Sequence, residues 1–182
     1  MATLIPSYEK ILTMKVKPEE GELHLLKFLD KELDNSFEVY FNPYMNGDRP
    51  DIVIMRKGYG VMIIEVKDYY LDAYELDERK NWKVKNQSFK IKSPISQALK
   101  YKDNLFELHI ENLLEKKIKD IRHFNIVSSS IYFHNANSSQ INDFLIEPFE
   151  HDKRYLTFLK YNIDLIGSDN LNDLDFNKIL RT

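Results

Sequence analysis

The sequence predicts an α/β fold with a mixed central β-sheet flanked by helices. Two apolar, β-branched runs surround a turn that contains glycine, which is typical of a hairpin. Helical segments with recognisable start signals precede and follow that hairpin. The remaining segments alternate between strand and helix patterns. Because this order of elements forms helical layers against a sheet, we expect one α/β sandwich.

The first helix and the hairpin have the clearest signals. The helix begins near Pro18, a favourable first helical residue, with two glutamates in its first turn, and runs to about Asp34. The hairpin consists of the runs DIVIM and VMIIEV, which are separated by residues 56–60.

The second half of the chain is predicted to alternate between strand and helix. Residues 81–92 alternate like a further strand or ribbon. Ser93 and Pro94 form an N-cap and a first helical position, and they open a long helix that extends to about Lys119. The later predictions are a strand at 123–134, helices at 138–144 and 155–161, a strand at 163–166 and a closing helix at 171–180.

Length and composition narrow the class of protein. The 182 residues are 43% apolar and 30% charged, so we expect a single globular domain over residues 1–182. The chain contains no cysteine, which excludes disulfides and a thiolate zinc site. The N-terminal segment lacks the apolar run of a signal peptide, and no segment approaches the ~20 apolar residues of a membrane span. We therefore expect a cytoplasmic protein with no membrane partner.

The distribution of charge is more informative than the net charge of −3. Residues 68–78 contain five acids and no base, whereas residues 79–102 contain eight bases and no acid. A local basic stripe is expected of a protein that binds the phosphate backbone, and a lysine-rich solvated hairpin is the alternative. The candidate nucleic-acid-binding residues are Lys83, Lys85, Lys90, Lys92 and Lys100.

Two carboxylates and an ammonium group are predicted to meet at one end of the hairpin. Glu65 and Lys67 are two positions apart in the second strand, so they share a face with Val61 and Ile63. A turn centred near Gly58 pairs residues whose numbers sum to about 116–118. That register places Asp51 opposite Glu65 or Lys67, at the end of an otherwise apolar face.

Two neighbouring carboxylates need a cation between them. Lys67 alone would supply it in a structural salt bridge, and Mg²⁺ held by oxygen ligands is the other candidate. The position of Glu22 favours the interpretation as a metal site. This residue lies in the middle of the apolar stripe of the first helix, where an unpaired charge is costly. A salt bridge from Glu22 to Lys67 or Arg49 remains the alternative.

Two further groups of residues are candidates for contacts around this site. Gln97 and Tyr101 are four apart on the long helix and share one face, beside the basic stripe. Trp82 lies near three tyrosines in sequence and is a candidate for base stacking, although at least half of this cluster is expected in the core. The tyrosines are Tyr69, Tyr70 and Tyr74.

These residues resemble a known pattern. Asp51, thirteen intervening residues and then Glu65, Val66 and Lys67 resemble the PD-(D/E)XK nuclease motif. The longer strings resemble the nuclease-related domain (NERD) family in their order along the chain. They are GEL at 21–23, RPDIVIM at 49–55, GVMIIEVKDY at 60–69, Trp82 and SPISQALKYKDNL at 93–105. Ser93 stands where the family pattern leads us to expect Asn.

The resemblance implies a restriction-endonuclease-like core and a Mg²⁺- or Mn²⁺-dependent enzyme that hydrolyses DNA, single- or double-stranded. By position, the side chains of Glu22, Asp51 and Glu65 and the carbonyl of Val66 would be metal ligands. Lys67 would orient the attacking water and stabilise the transition state. Gln97 and Tyr101 would support the site and the substrate backbone.

The resemblance also suggests a wider setting. Such domains often precede a helicase module, and some belong to anti-phage defence systems, so the chain is compatible with a fragment of a larger nuclease-helicase. The competing function is a catalytically inactive module that binds DNA or a partner protein on the same fold. The presence of all three acids and the lysine favours the enzyme.

Overall fold

The structure is a computed structural model that describes residues 1–45, 47–87, 89–105, 126–176 and 180. Its main elements are strands β1 to β9 and helices α1 to α5. In chain order they are β1 Thr3–Ile5, α1 Tyr8–Leu12, α2 Glu20–Glu32, β2 Phe37–Phe41, β3 Ile52–Arg56, β4 Gly60–Lys67, β5 Tyr74–Leu76, β6 Trp82–Val84, β7 Lys90–Ile91, α3 Pro94–Asn104, β8 Val127–Phe133, α4 Ser138–Leu145, α5 Lys153–Asn162 and β9 Asp164–Gly167.

The central sheet has six strands in the order β1-β2-β3-β4-β8-β9. Strands β2, β3 and β4 are antiparallel neighbours, whereas β1 pairs with β2, β8 with β4, and β9 with β8 in parallel. The sheet is therefore mixed, and the predicted α/β class is confirmed. The hairpin register is also confirmed, because Ile52 pairs with Ile64.

The two faces of the sheet are covered by different helices. Helix α2 packs Leu25, Leu26 and Leu29 against one face, beside Ile64 and Val66 of β4. The opposite face carries α3 and α4. There, Tyr101 of α3 packs with Val61 and Ile63, and Ile95 and Ala98 pack with Ile131 and Phe133. Alternate residues of β4 thus face different layers, as the period of a strand requires.

A second, antiparallel sheet of three short strands, β5-β6-β7, precedes α3. Its centre is Trp82, which is buried against the rings of Phe133, Phe144 and Tyr74. Tyr69 stacks on Tyr74 at 4.6 Å between ring centroids. Trp82, Tyr69 and Tyr74 therefore mainly pack against one another and against the core.

Several details differ from the sequence prediction. Strands β1, β2 and β5 and helix α1 were not predicted, and the proposed ribbon at 81–92 is two strands, β6 and β7. The prediction of a closing helix at 171–180 is wrong at its start, because Leu171–Asp173 form a 3-10 turn and the next two residues are not helical. Residues 177–179 of that prediction lie outside the described residues. The helix from Ser93 begins as predicted, and its continuation to Lys119 lies outside the described residues.

The remaining predicted elements are present with shifted ends. The strand expected at 123–134 is β8, although residues 123–125 of that prediction lie outside the described part of the chain. The helices at 138–144 and 155–161 are α4 and α5, and the strand at 163–166 is β9. Within the described residues, no helix combines the length and apolar character needed to cross a bilayer.

Candidate active site

The hairpin brings Asp51 to the end of β4. The pairing of Ile52 with Ile64 continues by one step, so Asp51 lies beside Glu65 just before β3 begins. The Val66 backbone N–H donates to Asp51 Oδ2 at 2.8 Å. Burial is the largest cause that raises the pKa of Asp51. The carboxylate is thus held in position by the neighbouring strand.

Glu65 and Lys67 form an ion pair on the α3 side of the sheet. The Lys67 ammonium donates to Glu65 Oε1 at 2.6 Å, and Glu65 is 0% exposed. Glu65 Oε2 is buried and accepts no hydrogen bond from any described residue. Burial, followed by the charge of Asp51, raises the pKa of Glu65 to about 7, while Lys67 and Lys92 oppose that rise.

The charge of Lys67 is maintained by its neighbours. Burial alone would lower the pKa of Lys67, but the charge of Glu65, its hydrogen bond and the charge of Asp51 outweigh burial. The net result is a pKa above the ordinary value for lysine. Lys67 is therefore a charged ammonium group at the end of β4. Its ion pair with Glu65 is the structural salt bridge that we considered as the alternative to a metal ion.

Glu22 reaches the site from the opposite layer of the fold. It is nearly fully buried near the N-terminus of α2, and its Oε2 accepts from the Glu19 N–H at 2.7 Å in a capping box. Burial raises the pKa of Glu22 to about 7, with Asp51 adding to the effect. Asp51 therefore acts electrostatically on both Glu22 and Glu65, and lies between the two layers.

A cavity of about 360 Å³ opens beside these residues. Its walls combine the N-terminal end of α2 with the end of β4 and the residues that follow it. The lining residues are Glu19, Glu22, Asp51, Val66, Lys67, Asp68 and Tyr69. The walls are mainly acidic, so the cavity suits a cation better than a neutral ligand.

Gly21 and Asp68 fasten α2 to the end of β4. The Gly21 N–H donates to both carboxylate oxygens of Asp68, at 3.1 and 3.0 Å. A negative charge at a helix N-terminus is favourable because it compensates unpaired N–H groups and the helix dipole. This contact determines where Glu22, the next residue, enters the cavity.

Gly21→Ala should displace α2 from the sheet. A Cβ at this position would overlap Asp68 Oδ1 and lie 2.8 Å from the Cβ of His134. Overpacking costs about 1–3 kcal/mol and the better helix propensity of alanine returns about 1 kcal/mol, so we expect a net loss of up to about 2 kcal/mol. Urea unfolding measures the loss. Lys27→Ala, at an exposed position of the same helix, is the control, and equal stability of the two variants would contradict a close packing at Gly21.

Helix α3 contributes Gln97 and Tyr101 to the Glu65 side. The Gln97 amide donates to the Tyr101 hydroxyl at 3.2 Å. Burial, and to a smaller extent the charges of Glu65 and Asp51, raise the pKa of Tyr101, which places its hydroxyl near both acids. The predicted shared face of these two residues therefore points towards the site.

Asp48 connects the loop before Asp51 to helix α3. It is buried, and its carboxylate accepts hydrogen bonds from Lys100, at 2.9 Å, and from Asn104. The Asn42 N–H donates to the Asp51 carbonyl at 2.7 Å and secures the other end of the loop. Asp51 thus follows a loop that is fixed at both ends.

The basic stripe does not form one unpaired surface. Lys83 and Lys90 are cross-strand partners, and both lie within 4 Å of Asp77, at 3.8 and 3.6 Å. Lys100 is paired with Asp48. Lys92 lies near enough to Glu65 to act on its charge, whereas Lys85 contributes to a separate surface pocket beside Tyr74. The preceding acidic segment therefore neutralises part of the stripe.

The carboxylate oxygens at this site are of the kind that bind divalent cations. They do not, however, form a preformed metal-binding cluster. Among the described residues, no three His, Asp or Glu side chains stand close enough together to enclose a metal ion. Each predicted acidic ligand instead has a protein donor: Glu19 for Glu22, Val66 for Asp51, and Lys67 for Glu65. The unpaired Oε2 of Glu65 and the raised pKa values of all three acids, caused mainly by burial, indicate that these groups would accept a proton or a metal ion.

The sequence did not identify Asp68 and Asp48 as contributors to the site. Asp68 directly follows the Glu-Val-Lys string, so its position at the end of a strand was a usable signal. Asp48 lies in a polar turn region, where an aspartate is ordinary. Nothing local to that turn indicates that the side chain would be buried.

Comparison with known proteins identifies the class. The family model described as nuclease-related domain matches residues 17–134, which is well over half of the chain. The protein therefore belongs to the nuclease-related domain family.

A solved structure, the crystal structure of a repair endonuclease from Pyrococcus abyssi, is similar to the chain with 13% identity and a TM-score of 0.38. The similarity covers 86% of this chain and 49% of that one, so the protein spans about half the length of that relative. No curated protein sequence matches the chain.

Proposed function

We propose that this domain is a metal-dependent nuclease that hydrolyses phosphodiester bonds of DNA. The observation that carries the proposal is that Glu22, Asp51 and Lys67 line one acidic cavity, with Glu65 paired to Lys67 beside it. Keeping the buried Glu22 and Glu65 near the partly buried Asp51 is costly without a cation or a shared proton. Membership of the nuclease-related domain family supports the same reaction.

Mg²⁺ or Mn²⁺ is the proposed cofactor. The carboxylates of Glu22, Asp51 and Glu65, with the Val66 carbonyl, would hold it, since hard cations of this type prefer oxygen ligands. When bound, the ion would supply positive charge for the scissile phosphate and the attacking water. The unpaired Oε2 of Glu65 is the oxygen most in need of that charge.

The remaining side chains would act on the substrate and the water. Lys67 would place its ammonium beside the scissile phosphate and orient the water, because its charge is fixed by Glu65. Tyr101, held by Gln97, would support Glu65 and the phosphate backbone from α3. Asp68 would be a positioning residue, since it acts through α2 on Glu22.

A catalytically inactive binding module is the second candidate. The observation that favours it is the short Lys67–Glu65 ion pair, which already supplies one cation to the acids. The two candidates differ in a direct assay: plasmid and linear single-stranded DNA are incubated with Mg²⁺, Mn²⁺ or EDTA. We expect products with either ion and none with EDTA, and loss of activity in Asp51→Asn. Binding without products under every condition would favour the inactive module.

We extend the proposal to a biological setting, supported by family resemblance alone. The domain would be one folding unit that acts in the cytoplasm with a fused or associated helicase, in anti-phage defence or DNA processing. Phage plating on cells that express the wild type or Asp51→Asn together with the neighbouring genes tests this. Equal plating on both strains would contradict a defence role.

The basic stripe provides a separate prediction about DNA binding. Charge reversal at Lys83, Lys85 and Lys90 should weaken binding to all sequences alike, because phosphate contacts carry no base information. The slope of affinity against salt should flatten by about one unit for each lost contact. Reversal of the exposed Lys153, Arg154 and Lys160 on α5 is the charge-matched control. An equal effect in the control would show that net charge, rather than the stripe, determines binding.

A further inference from the structure

Three aromatic side chains remain exposed on segments that lead into or out of the cavity. They are Tyr44 (71% exposed), Tyr70 (65%) and Phe89 (58%). Their neighbours Trp82, Tyr69 and Tyr74 are packed together, so burial was available to aromatic residues in this region. Single exposed apolar residues are ordinary on a protein surface. Other exposed rings, such as Tyr59, Phe158 and Tyr161, lie elsewhere, but these three are on segments adjacent in sequence to residues of the charged site.

Tyr44 lies on the fixed loop that precedes Asp51. The Arg49 guanidinium is 5.6 Å from the centroid of its ring, and Arg49 forms no ion pair with a carboxylate in the described part of the chain. The anchors at Asp48 and Asn42 hold this loop against α3 and the end of the hairpin. The loop therefore presents an exposed cation and an exposed ring as one preorganised surface.

Tyr70 and Phe89 lie on the other two segments that lead to the site. Tyr70 follows Tyr69, which lines the cavity and whose ring centroid is 5.8 Å from the Lys67 ammonium. Phe89 precedes Lys90 and is three residues from Lys92, the lysine that acts on Glu65. Tyr44 thus has a cation at its ring, whereas Tyr70 and Phe89 are next to, or a few residues from, basic or cation-contacting residues in sequence. Exposed rings combined with basic side chains are the arrangement that proteins use to bind unpaired nucleotides.

We propose that the site takes single-stranded DNA, with Tyr44, on the loop that leads to Asp51, and Tyr70, next to the cavity-lining Tyr69, as stacking surfaces for unpaired bases. Bases in a duplex are stacked on one another and offer no free ring face, whereas a single strand offers one at every base. Arg49 and Lys92 would contact the backbone beside these rings. This inference rests on the proposed nuclease function and names the substrate class of the same site.

Binding is measured by fluorescence anisotropy with a labelled 20-nucleotide strand, alone and as a blunt duplex, in EDTA so that cleavage is prevented. We expect the wild type to prefer the single strand. Tyr44→Ala and Tyr70→Ala should each weaken that binding by about 5- to 100-fold, while duplex binding changes little. Tyr44→Phe keeps the ring and should bind like the wild type, whereas Tyr44→Leu keeps apolar area without an aromatic face and should behave like the alanine variant.

Tyr161→Ala is the matched control, because Tyr161 is 73% exposed on α5, which leads into the edge strand β9. It should leave single-strand affinity unchanged. Equal losses in Tyr44→Ala and Tyr161→Ala, or a wild-type preference for duplex, would overturn the inference. Cleavage of duplex at the same rate as single strands would overturn it too, and would leave the proposed nuclease function standing. Failure to bind or cut any DNA would instead refute the proposed function itself.

Discussion

Lys67→Ala is expected to slow DNA cleavage by about 10²–10³-fold, the usual effect of removing a preorganised group that stabilises transition-state charge. Lys67→Met keeps the apolar stem and should be equally slow. DNA binding should change much less, because it depends on many phosphate contacts. Single-turnover cleavage and anisotropy on the same preparation measure the two quantities. Lys57→Ala, at the exposed turn of the same hairpin, is the control and should cut normally.

The competing view treats Lys67 as the structural partner of Glu65. Removing one member of a buried pair leaves an unpaired charge and typically costs about 3–5 kcal/mol, so the metal-free variant would then melt much earlier. Thermal unfolding with and without Mn²⁺ separates the two effects, since a metal at the site would replace the lost positive charge. A Lys67→Ala protein that melts early and still cuts DNA at the wild-type rate would exclude the catalytic role.

Mn²⁺ or Mg²⁺ is expected to raise the melting temperature, because a ligand that binds only the native state stabilises it. At 100 times the dissociation constant the gain is about 2.7 kcal/mol, which corresponds to roughly 5–10 °C for a domain of this size. Glu22→Gln and Asp51→Asn should each remove most of the increment. Both replacements keep an oxygen that accepts the existing N–H, from Glu19 and Val66 respectively.

Glu20→Gln is the control for this prediction, because Glu20 is exposed on the neighbouring position of α2. It should retain the full metal increment. Without metal, Glu22→Gln should melt no earlier than the wild type, since the replacement removes a buried charge that lacks a cation. An unchanged increment in both Glu22→Gln and Asp51→Asn would place the metal elsewhere on the protein.

The hairpin could be predicted in detail because its determinants are local. A turn at Gly58 and two β-branched runs determine a register, and the register brings Asp51 beside Glu65. The position of Glu22 needed one more argument, the cost of burying an unpaired charge. The prediction did not include the order of the layers, in which Glu22 and Glu65 lie on opposite sides of the sheet and Asp51 lies between them.

The elements that escaped prediction depend on distant partners. Strand β2 has alternating Phe37, Val39 and Phe41 on its buried side, a signal that the turn residues after it obscured. Strand β1 has three residues and pairs in parallel with β2, so only the completed sheet accounts for it. Strand β5 lies in an acidic segment whose Asp77 is satisfied by Asn81 and by lysines of the next strands.

The attachment of α2 at Gly21 and Asp68 has a consequence for how the protein could lose function short of unfolding. Only this end of the helix bears the acid that enters the cavity, and its hydrogen bonds to Asp68 are partly buried side-chain contacts rather than part of the sheet. Opening of the first turn of α2 requires far less free energy than opening of the central strands. Amide hydrogen exchange at Gly21 should therefore track activity across temperature, while exchange in β4 reports the stability of the whole domain.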